Sequence, residues 1–330
     1  MSGVRLDAAI AVLTYHRPDR LPLTIHALLE QIKGLPEDLS SKLRVHIRVI
    51  DNAEQPEAQD IVGLDPARIT YRHEPRPGIS SARNRALDES AADRLLLFVD
   101  DDIIPQPRWL ELLLSLWLKE RCQAVSGHVL PELPDTAEPW VSAGRYFNRP
   151  ERATGSTVPA AASNNLLLDL DFLRRHNLRF SLELGHIGGE DSLLTRQLVA
   201  RGGRILWCNE AKAVDPVPAD RATKRWVRQR SFRVGSSEAL VAQFLDHSPG
   251  HLRSRAVFLA GGLARMAFGA VRSLAGKLAS DLPQQARGAR TVYRGAGQLV
   301  GACGYAYQEY GRGKKSIRKV NRPAVLEHAR

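Results

Sequence analysis

The stretch "RLLLFVDDDII", residues 94–104, decides the fold, because it joins an apolar run to three consecutive carboxylates. The run at 95–99 is typical of a buried strand. Asp100, Asp101 and Asp102 follow at the point where that strand would end. Carboxylates this close repel one another and raise each other's pKa unless a cation joins them. The stretch therefore indicates either a metal site at a strand end or a solvated acidic turn.

Short apolar runs alternate with helical patterns around this stretch. Strand-like runs occupy residues 8–15, 43–52, 68–74 and 94–102, and helical patterns occupy 19–32, 78–91 and 107–120. This order predicts an α/β sheet with parallel members, whose ligands bind outside the carboxyl ends of the strands. Because Tyr15, Asp51, Asn52 and the three aspartates all fall at predicted strand ends, we expect one polar site there.

Size and cysteine content limit the class of protein. The chain of 330 residues is long enough for one large domain or two smaller ones. Cys122, Cys208 and Cys303 are far apart in the sequence, which favours neither a disulfide framework nor a zinc site and fits a reducing cytoplasm. The opening "MSGVRLDAAIAVLTYHR" is interpreted as a strand and not as a signal peptide.

The charge of the chain is strongly asymmetric. Residues 221–330 carry 21 Lys and Arg against 5 Asp and Glu, whereas residues 1–220 carry 26 against 31. Such asymmetry indicates a nucleic acid, an anionic membrane surface or a charged substrate as partner. The pattern at 256–276 contains arginines and is short for a membrane span, so a surface-lying amphipathic helix or a helix packed on the body is expected. The tail at 311–330 is expected to be disordered.

A second acidic element follows two glycines in "GGED", residues 188–191, just before a helical pattern. Glycine permits a tight turn, and a turn at the edge of a site can present a general base to a hydroxyl. Glu190 and Asp191 also fit the simple role of acidic residues in the first turn of a helix. Both interpretations stay open on the residues alone.

Six segments in order resemble glycosyltransferase family 2, whose fold is called GT-A. They are "VLTYHRPDRL", "RVIDN", "PGISSARNRAL", "LLLFVDDDIIPQPRWL", "GGEDSLLTRQLVARGGRI" and "AKAVDPVPADR". The resemblance implies an α/β fold with a nucleotide-sugar-binding, mixed and mainly parallel sheet flanked by helices. It assigns 1–220 to the catalytic domain, with a nucleotide-binding half at 1–115 and an acceptor-binding half at 116–220. Residues 221–330 become a C-terminal basic helical extension.

The same resemblance implies roles in holding the donor. Tyr15 would lie against the nucleobase, and Asp51 with Asn52 would contact base and ribose. The commonest family form has two acids at this point, so Asn52 is a departure. Gly78 would let the backbone approach the nucleotide, and Arg83 would hold this loop or reach the diphosphate.

A divalent cation, Mn²⁺ or Mg²⁺, is implied at the acidic stretch. Asp102 would be the direct metal ligand, and Asp100 would hold the metal and the donor, with Asp101 contacting the donor. Many relatives carry a third metal ligand, a histidine, where this chain has Asp215. Carboxylate oxygens suit hard cations, so Asp215 is a candidate third ligand.

The implied reaction is inverting transfer of a sugar from a nucleotide-sugar to an acceptor hydroxyl. Asp191 is the candidate general base, with Glu190 as neighbour or substitute. The expected acceptor is a glycan or lipid-linked saccharide in cell-surface polysaccharide or glycolipid synthesis. The expected place is the cytoplasm, peripheral at the inner face of the cell membrane, where the basic region meets anionic lipid. No nucleic acid is expected as a partner.

Two alternatives stay open. A nucleotidyltransferase would usually have a glycine-rich phosphate loop after the first strand, and "LTYHRPDRL" lacks those glycines. A non-catalytic protein that binds nucleotides or polyanions through its basic region has no use for carboxylates at strand ends. Both are weaker than the transferase hypothesis.

Overall fold

The computed structural model describes residues 5–308 and 316–320, and the chain divides into two compact units. The first unit comprises Met1–Glu132, Arg149–Phe180 and Leu194–Pro216, and the second comprises Leu133–Asn148, Ser181–Leu193 and Val217–Arg330. The second unit thus includes two segments, 133–148 and 181–193, that the sequence analysis assigned to the catalytic region.

An eight-stranded sheet forms the centre of the first unit. Its strands are β1 (Leu6–Thr14), β2 (Leu43–Asp51), β3 (Ile69–His73), β4 (Leu95–Asp100), β5 (Ile104–Pro105), β6 (Ala124–Glu132), β7 (Asn165–Asp169) and β8 (Ile205–Pro216). They lie in the order β3-β2-β1-β4-β7-β6-β8-β5. The pairs β3/β2, β2/β1, β1/β4 and β6/β8 are parallel, whereas β7 is antiparallel to both neighbours and β5 to β8. The predicted mixed, mainly parallel sheet is confirmed.

Ten α-helices are present among the described residues. They are α1 (Leu21–Lys33), α2 (Glu37–Ser40), α3 (Ile79–Glu89), α4 (Trp109–Glu120), α5 (Pro139–Gly144), α6 (Leu170–Arg175), α7 (Glu190–Ala200), α8 (Lys224–Leu245), α9 (Leu252–Leu278) and α10 (Leu282–Ala302). The predicted helical patterns at 19–32, 78–91 and 107–120 correspond to α1, α3 and α4.

Two hydrophobic cores cover the two faces of the sheet. Alternate strand residues point to opposite faces, so Ile10 of β1 packs with α1 and α4 while its neighbour Ala11 packs with α3. Leu21, Ile25 and Leu28 of α1 are all buried at helical spacing. Helices on both faces explain why the strands are apolar along their whole length.

The sequence pattern of 203–218 predicts a strand pair or hairpin, whereas the structure has the single strand β8 there. Its pairing with β6 is irregular, because Gly127 pairs with Cys208 while the next residue, His128, pairs with Lys212. The amide of Asn165 fills the irregularity: its Nδ2 donates to the Ala211 carbonyl at 3.1 Å. The strand therefore continues past the bulge and carries its carboxyl end to Pro216.

The second unit is mainly helical, with α5, α8, α9 and α10 and a two-stranded antiparallel sheet of β9 (Tyr305–Gln308) and β10 (Ser316–Lys319). The expected disorder at 311–330 is wrong for β10, because backbone pairing with β9 orders those four residues. The parts of that tail at 311–315 and 321–330 lie outside the described residues.

Helix α9 is the longest helix of the described chain. With the turn before it, the segment Pro249–Leu278 is the one described helix that is long and apolar enough to cross a membrane, judged on length and composition alone. One face of α9 is covered by other residues, because Gly262, Gly269 and Gly276 on that face are buried. A Cβ built on Gly269 would lie 2.7 Å from the carbonyl oxygen of Gly288 in α10, so glycine permits this close helix packing.

Candidate active site

Polar side chains meet at the carboxyl edge of the sheet in the first unit. In the register of the parallel strands, Thr14 pairs with Asp51, and Leu13 pairs with Asp100. Strand β8 runs in the same direction as β4, because β6 lies between β8 and the antiparallel β7. Asp215, near the end of β8, therefore comes to the same edge, where its charge acts on Asp100.

The side chain of Asp100 lies in a crowded acidic environment. Loss of hydration is the largest cause that raises the pKa of Asp100, and the Arg83 guanidinium opposes this rise. The carboxylates of Asp102, Asp101 and Asp215 also raise it, and the net pKa is about 7. A group of carboxylates in this state gains stability from any added positive charge.

Asp101 supports the turn that follows β4. Its side chain is buried, and its two carboxylate oxygens accept hydrogen bonds from Thr14 Oγ1 at 2.8 Å and Arg17 Nη1 at 3.0 Å. Its backbone carbonyl accepts a bond from Thr24 Oγ1 at 2.8 Å. Burial raises the pKa of Asp101, and Arg17 opposes that rise. These contacts anchor the acidic turn to β1 and α1, while the predicted contact of Asp101 with the donor stays a prediction.

Arg17 is the residue that sequence reasoning missed. Its Nη1 also donates to Asp102 Oδ2 at 2.5 Å, so one guanidinium nitrogen bridges two carboxylates. Burial opposes a charged guanidinium, but Asp101 and Asp102 raise the pKa of Arg17 overall. The signal in the sequence was the basic residue soon after the first strand, in "TYHRPDR". The sequence places it about 85 positions from its partners, so no local pattern connects them.

The acidic group fits a divalent cation that substrate phosphates help to hold. Within residues 5–308 and 316–320, no three His, Cys, Asp or Glu side chains form a group that could hold a metal alone. Magnesium in proteins is commonly held by one or two carboxylates together with substrate phosphates. The hard oxygens of Asp100 and Asp102, and the charge crowding at Asp100, fit such a shared site.

Asp51 shapes the loop after β2. Its carboxylate is 1% exposed and accepts bonds from the backbone nitrogens of Ala53 (3.0 Å), Glu57 (2.8 Å) and Ala58 (3.1 Å), and from Tyr71 Oη (2.9 Å). Asp51 therefore holds the wall of the expected nucleoside pocket. Its predicted direct contact with base or ribose stays a prediction.

Asn52 joins two neighbouring loops. Its Nδ2 donates to the carbonyl oxygens of Glu74 and Arg76, each at 2.7 Å. An aspartate at this position would accept and not donate, so the departure from the family form is explained by these two carbonyls. The local reason for Asn52 is thus structural.

Tyr15 lies beyond the end of β1 and is 43% exposed. Its ring centroid is 4.2 Å from that of His16, and the two rings are tilted. His16 contacts Glu54 and Glu57, at 2.9 Å each, and so ties the loop after β1 to the loop after β2. An exposed aromatic face on a tied loop is suited to stacking on a base.

Gly78 and Arg83 belong to the start of α3. Gly78 has a φ of 106° and precedes the first residue of the helix, a backbone conformation that favours glycine. Arg83 is buried, its guanidinium carbon is 5.5 Å from the Phe180 ring centroid, and its charge lowers the pKa of Asp100. The structure thus brings Arg83 within electrostatic reach of the acidic group.

Glu190 and Asp191 lie in the second unit, in the first turn of α7. The two glycines before them have φ values of 86° and 99°. A Cβ on Gly189 would also lie 3.1 Å from Val241 Cγ2 of α8, so packing requires glycine here as well as the turn. Glu190 is buried, whereas Asp191 is partly exposed, which favours Asp191 as the group that can meet a substrate.

The chain is similar to known proteins in both sequence and fold. Residues 9–175 match the model of the family described as glycosyl transferase family 2. The succinoglycan biosynthesis protein ExoM of Rhizobium meliloti (strain 1021) is 35% identical over 242 residues, which is 72% of this chain and 75% of that protein.

Two solved structures share the fold. A mannosyltransferase from Pyrobaculum calidifontis, determined with GDP-Man and Mn²⁺, has a TM-score of 0.60 and 19% identity over 91% of this chain and 88% of its own. GalNAc-T7, determined with UDP, GalNAc and Mn²⁺, has a TM-score of 0.52 and 14% identity over 72% of this chain and 51% of its own.

Proposed function

The chain belongs to glycosyltransferase family 2, and from that premise we propose that it builds a cell-surface polysaccharide or glycolipid by inverting transfer from a nucleotide-sugar. The observation that carries the proposal is the acidic group at the carboxyl edge of the sheet, where Asp100 and Asp102 are joined by Asp215. The acceptor is a hydroxyl of a glycan or of a lipid-linked saccharide. The name of the related succinoglycan protein supports the polysaccharide assignment.

The donor is held at the carboxyl edge. A Mn²⁺ or Mg²⁺ ion held by Asp102 and Asp100 together with the donor phosphates would stabilise negative charge on the departing diphosphate. Asp215, whose charge acts on Asp100, is the candidate further ligand in that complex. Arg83, whose charge already acts on Asp100, faces the same developing charge. The positive φ of Gly78 leaves room for the backbone to approach the nucleotide.

The nucleobase of the donor is held by the loops that follow β1 and β2. We assign stacking to Tyr15, which is exposed, and positioning of the loop to Asp51, whose carboxylate accepts four bonds. We assign contact with the nucleobase to the amide oxygen of Asn52, because its nitrogen is engaged with two carbonyls. Residues 1–115 form the nucleotide-binding half in this proposal and 116–220 the acceptor-binding half.

Asp191 acts as the general base. It accepts the proton of the acceptor hydroxyl while that oxygen attacks the anomeric carbon from the face opposite the diphosphate, which inverts the configuration. Its position in the first turn of α7 and its partial exposure support this role over the buried Glu190.

The test is release of nucleoside diphosphate from a panel of nucleotide-sugars, with a membrane extract as the source of acceptor. For Asp191→Asn we expect turnover to fall by about 10²-fold or more, because a general base is lost. Glu190→Gln is the matched neighbour and should retain more activity. Unchanged turnover in Asp191→Asn would contradict the assignment of the base, and no turnover with any donor in the wild-type protein would contradict the proposed reaction.

We place the enzyme in the cytoplasm, at the inner face of the cell membrane, with anionic lipid as its surface and no nucleic acid as partner. The charge excess of residues 221–330 supports this. Two arginines of α8 contribute less to lipid binding than their charge indicates, because they stack on aromatic rings. Arg228 stacks on Trp140, with 5.1 Å from its guanidinium carbon to the ring centroid, and Arg230 stacks on Phe147 at 5.2 Å.

A further inference from the structure

We infer that the outward face of α9 is the surface by which the protein sits in an anionic lipid bilayer, with the helix lying in the plane of the headgroups. This inference deepens the proposed membrane association and is independent of the transfer reaction. The outward face is defined here as the residues of α9 opposite its three buried glycines.

The inward face of α9 is already occupied by α10. Gly262 and Gly269 pack so closely that a Cβ on either would come within 3 Å of a carbonyl oxygen in α10, those of Gly295 and Gly288. Small residues on this side leave the larger side chains of α9 on the opposite side. That distribution places the apolar surface of the helix away from its partner.

The outward face is apolar and exposed along six turns. Its large side chains keep more than half of their surface accessible: Val257 61%, Leu263 60%, Phe268 62%, Val271 69%, Leu274 58% and Leu278 82%. Alanines at 256, 260, 264, 267, 270 and 275 fill the positions between them, and all six are exposed. Exposed apolar patches of this extent are rare on monomeric proteins and mark an interaction surface.

The charges around this face indicate which surface it meets. Residues 252–302 carry eight Lys and Arg and one acidic residue, and α9 itself has no acidic residue. Arg265 and Arg272 lie on the side of α10, where they bond the side-chain oxygens of Gln298 (3.0 Å) and Gln284 (3.3 Å). Arg253 and Lys277, near the two ends of α9, are exposed. An apolar face with basic flanks is the form that binds a bilayer containing anionic lipid.

The composition of α10, which packs along α9, indicates whether α9 lies in the plane of the membrane or crosses it. Helix α10 packs along α9 and carries Arg287, Arg290 and Arg294. Three arginines are costly in hydrocarbon, so a helix bound along its length to α10 is expected to stay at the interface. The inward side then faces water and the outward side faces acyl chains.

The test places a fluorophore on the outward face. In a Cys303→Ser background, Val257→Cys, Phe268→Cys and Leu278→Cys are labelled with an environment-sensitive dye, with Lys119→Cys, an exposed position of α4 in the first unit, as control. Cys122 and Cys208 do not compete for the dye, because burial raises the pKa of each thiol to about 11. The vesicles contain about 30 mol % phosphatidylglycerol in phosphatidylcholine, or phosphatidylcholine alone.

We expect a blue shift at the three α9 positions, and none at the control, with the anionic vesicles. Depth-dependent quenchers should place all three at one shallow depth. If the dye at position 268 lies deeper in the bilayer than the dyes at 257 and 278, the inference is overturned in favour of a helix that spans the membrane. A shift that needs no vesicles and grows with protein concentration would overturn it in favour of a second copy, and no shift at all would also overturn it.

A matched pair of variants supplies a second readout. Val271→Glu adds one negative charge to the outward face, and Ala92→Glu adds the same charge at an exposed position of the first unit. Val271→Glu should lower vesicle affinity by about tenfold or more, and Ala92→Glu should not. Equal affinities would contradict the inference. Nucleoside diphosphate binding of both variants is measured separately, so loss of membrane binding is distinguishable from loss of the proposed function.

Discussion

At the scale of single residues, Arg17 explains how three adjacent carboxylates coexist at the end of β4. Its Nη1 donates to both Asp101 and Asp102, and so supplies the positive charge that the acidic turn needs. A divalent cation at Asp102 would replace this contact with a stronger one. Arg17 is thus a positioning residue for the acidic turn.

We predict that Arg17→Ala destabilises the protein in EDTA by about 1–3 kcal/mol, less than the loss of a fully buried ion pair because Arg17 is partly exposed. Added Mn²⁺ should raise the melting temperature of this variant more than that of wild type, since the metal replaces a missing charge. Thermal melts with EDTA and with Mn²⁺ check this, with Arg17→Lys as control. Equal metal-induced shifts in Arg17→Ala and wild type would contradict the role.

His16 gives the site a pH-dependent contact. Its bond to Glu57, and the nearby charges of Glu57 and Glu54, raise the pKa of His16 above the ordinary 6.5, while burial opposes the rise. A raised pKa in the folded state means that this contact stabilises the loop fully below about pH 6.5 and is lost as pH rises through the raised value. Proton NMR should give a His16 pKa above 6.5 that falls in Glu57→Gln; an unchanged pKa in that variant would contradict the contact.

The site residues at strand ends could be predicted from the sequence, because an apolar run shows where a strand ends and which polar residue follows it. Asp51, Asp100 and Asp102 were found in this way. Arg17 and Asn165 were not, because each acts on residues far away in the chain and no short pattern records such a contact. The proposed catalytic role of Asp191 rests on the family resemblance, and its partial exposure in the first turn of α7 supports it.

At the scale of elements, glycine spacing determines how the C-terminal helices pack. Glycines of α10 face α9 at Gly288 and face α8 at Gly297, where a Cβ would collide with backbone atoms of Phe232. The glycines of α9 can be read from the sequence, but the helix that they contact cannot. Periodicity reveals a small-residue face, whereas its partner depends on the tertiary fold.

The glycine contact predicts a difference between neighbouring substitutions. Gly269→Leu should destabilise the second unit by about 3 kcal/mol, the upper end of the range for overpacking, because the side chain meets the backbone of α10. Ala270→Leu, one residue on and exposed, should change the free energy of unfolding by less than about 0.5 kcal/mol. Urea unfolding measures both, and similar values would contradict the packing.

The hydrophobic pattern of the sequence does not predict that β8 is a single strand. The polar residues Asn209 and Glu210 interrupt an apolar run and imitate a turn, and they lie in the irregular stretch where β8 departs from regular pairing with β6. The amide of Asn165 makes that irregularity stable by bonding Ala211. A side chain from another strand, and not the local sequence, therefore decides between one strand and two.

At the scale of the whole molecule, charge and chemistry occupy different parts of the chain. Residues 1–220 are slightly acidic and contain the carboxylates of the proposed reaction, whereas residues 221–330 carry the positive charge. The overall class of fold was predictable, because the hydrophobic pattern of the sequence indicates the order of strands and helices. The grouping of 133–148 and 181–193 with the second unit was not, since it depends on contacts with residues beyond 217.

The acidic edge of the sheet is proposed to bind a nucleotide together with a divalent cation. The most direct measurement is calorimetric titration of UDP, GDP, dTDP and CDP into the full chain, each with Mn²⁺ and again with EDTA. We predict that one nucleotide binds, that binding needs the metal, and that Asp102→Asn abolishes it. Binding of no nucleotide, or binding that survives both EDTA and Asp102→Asn, would contradict the account.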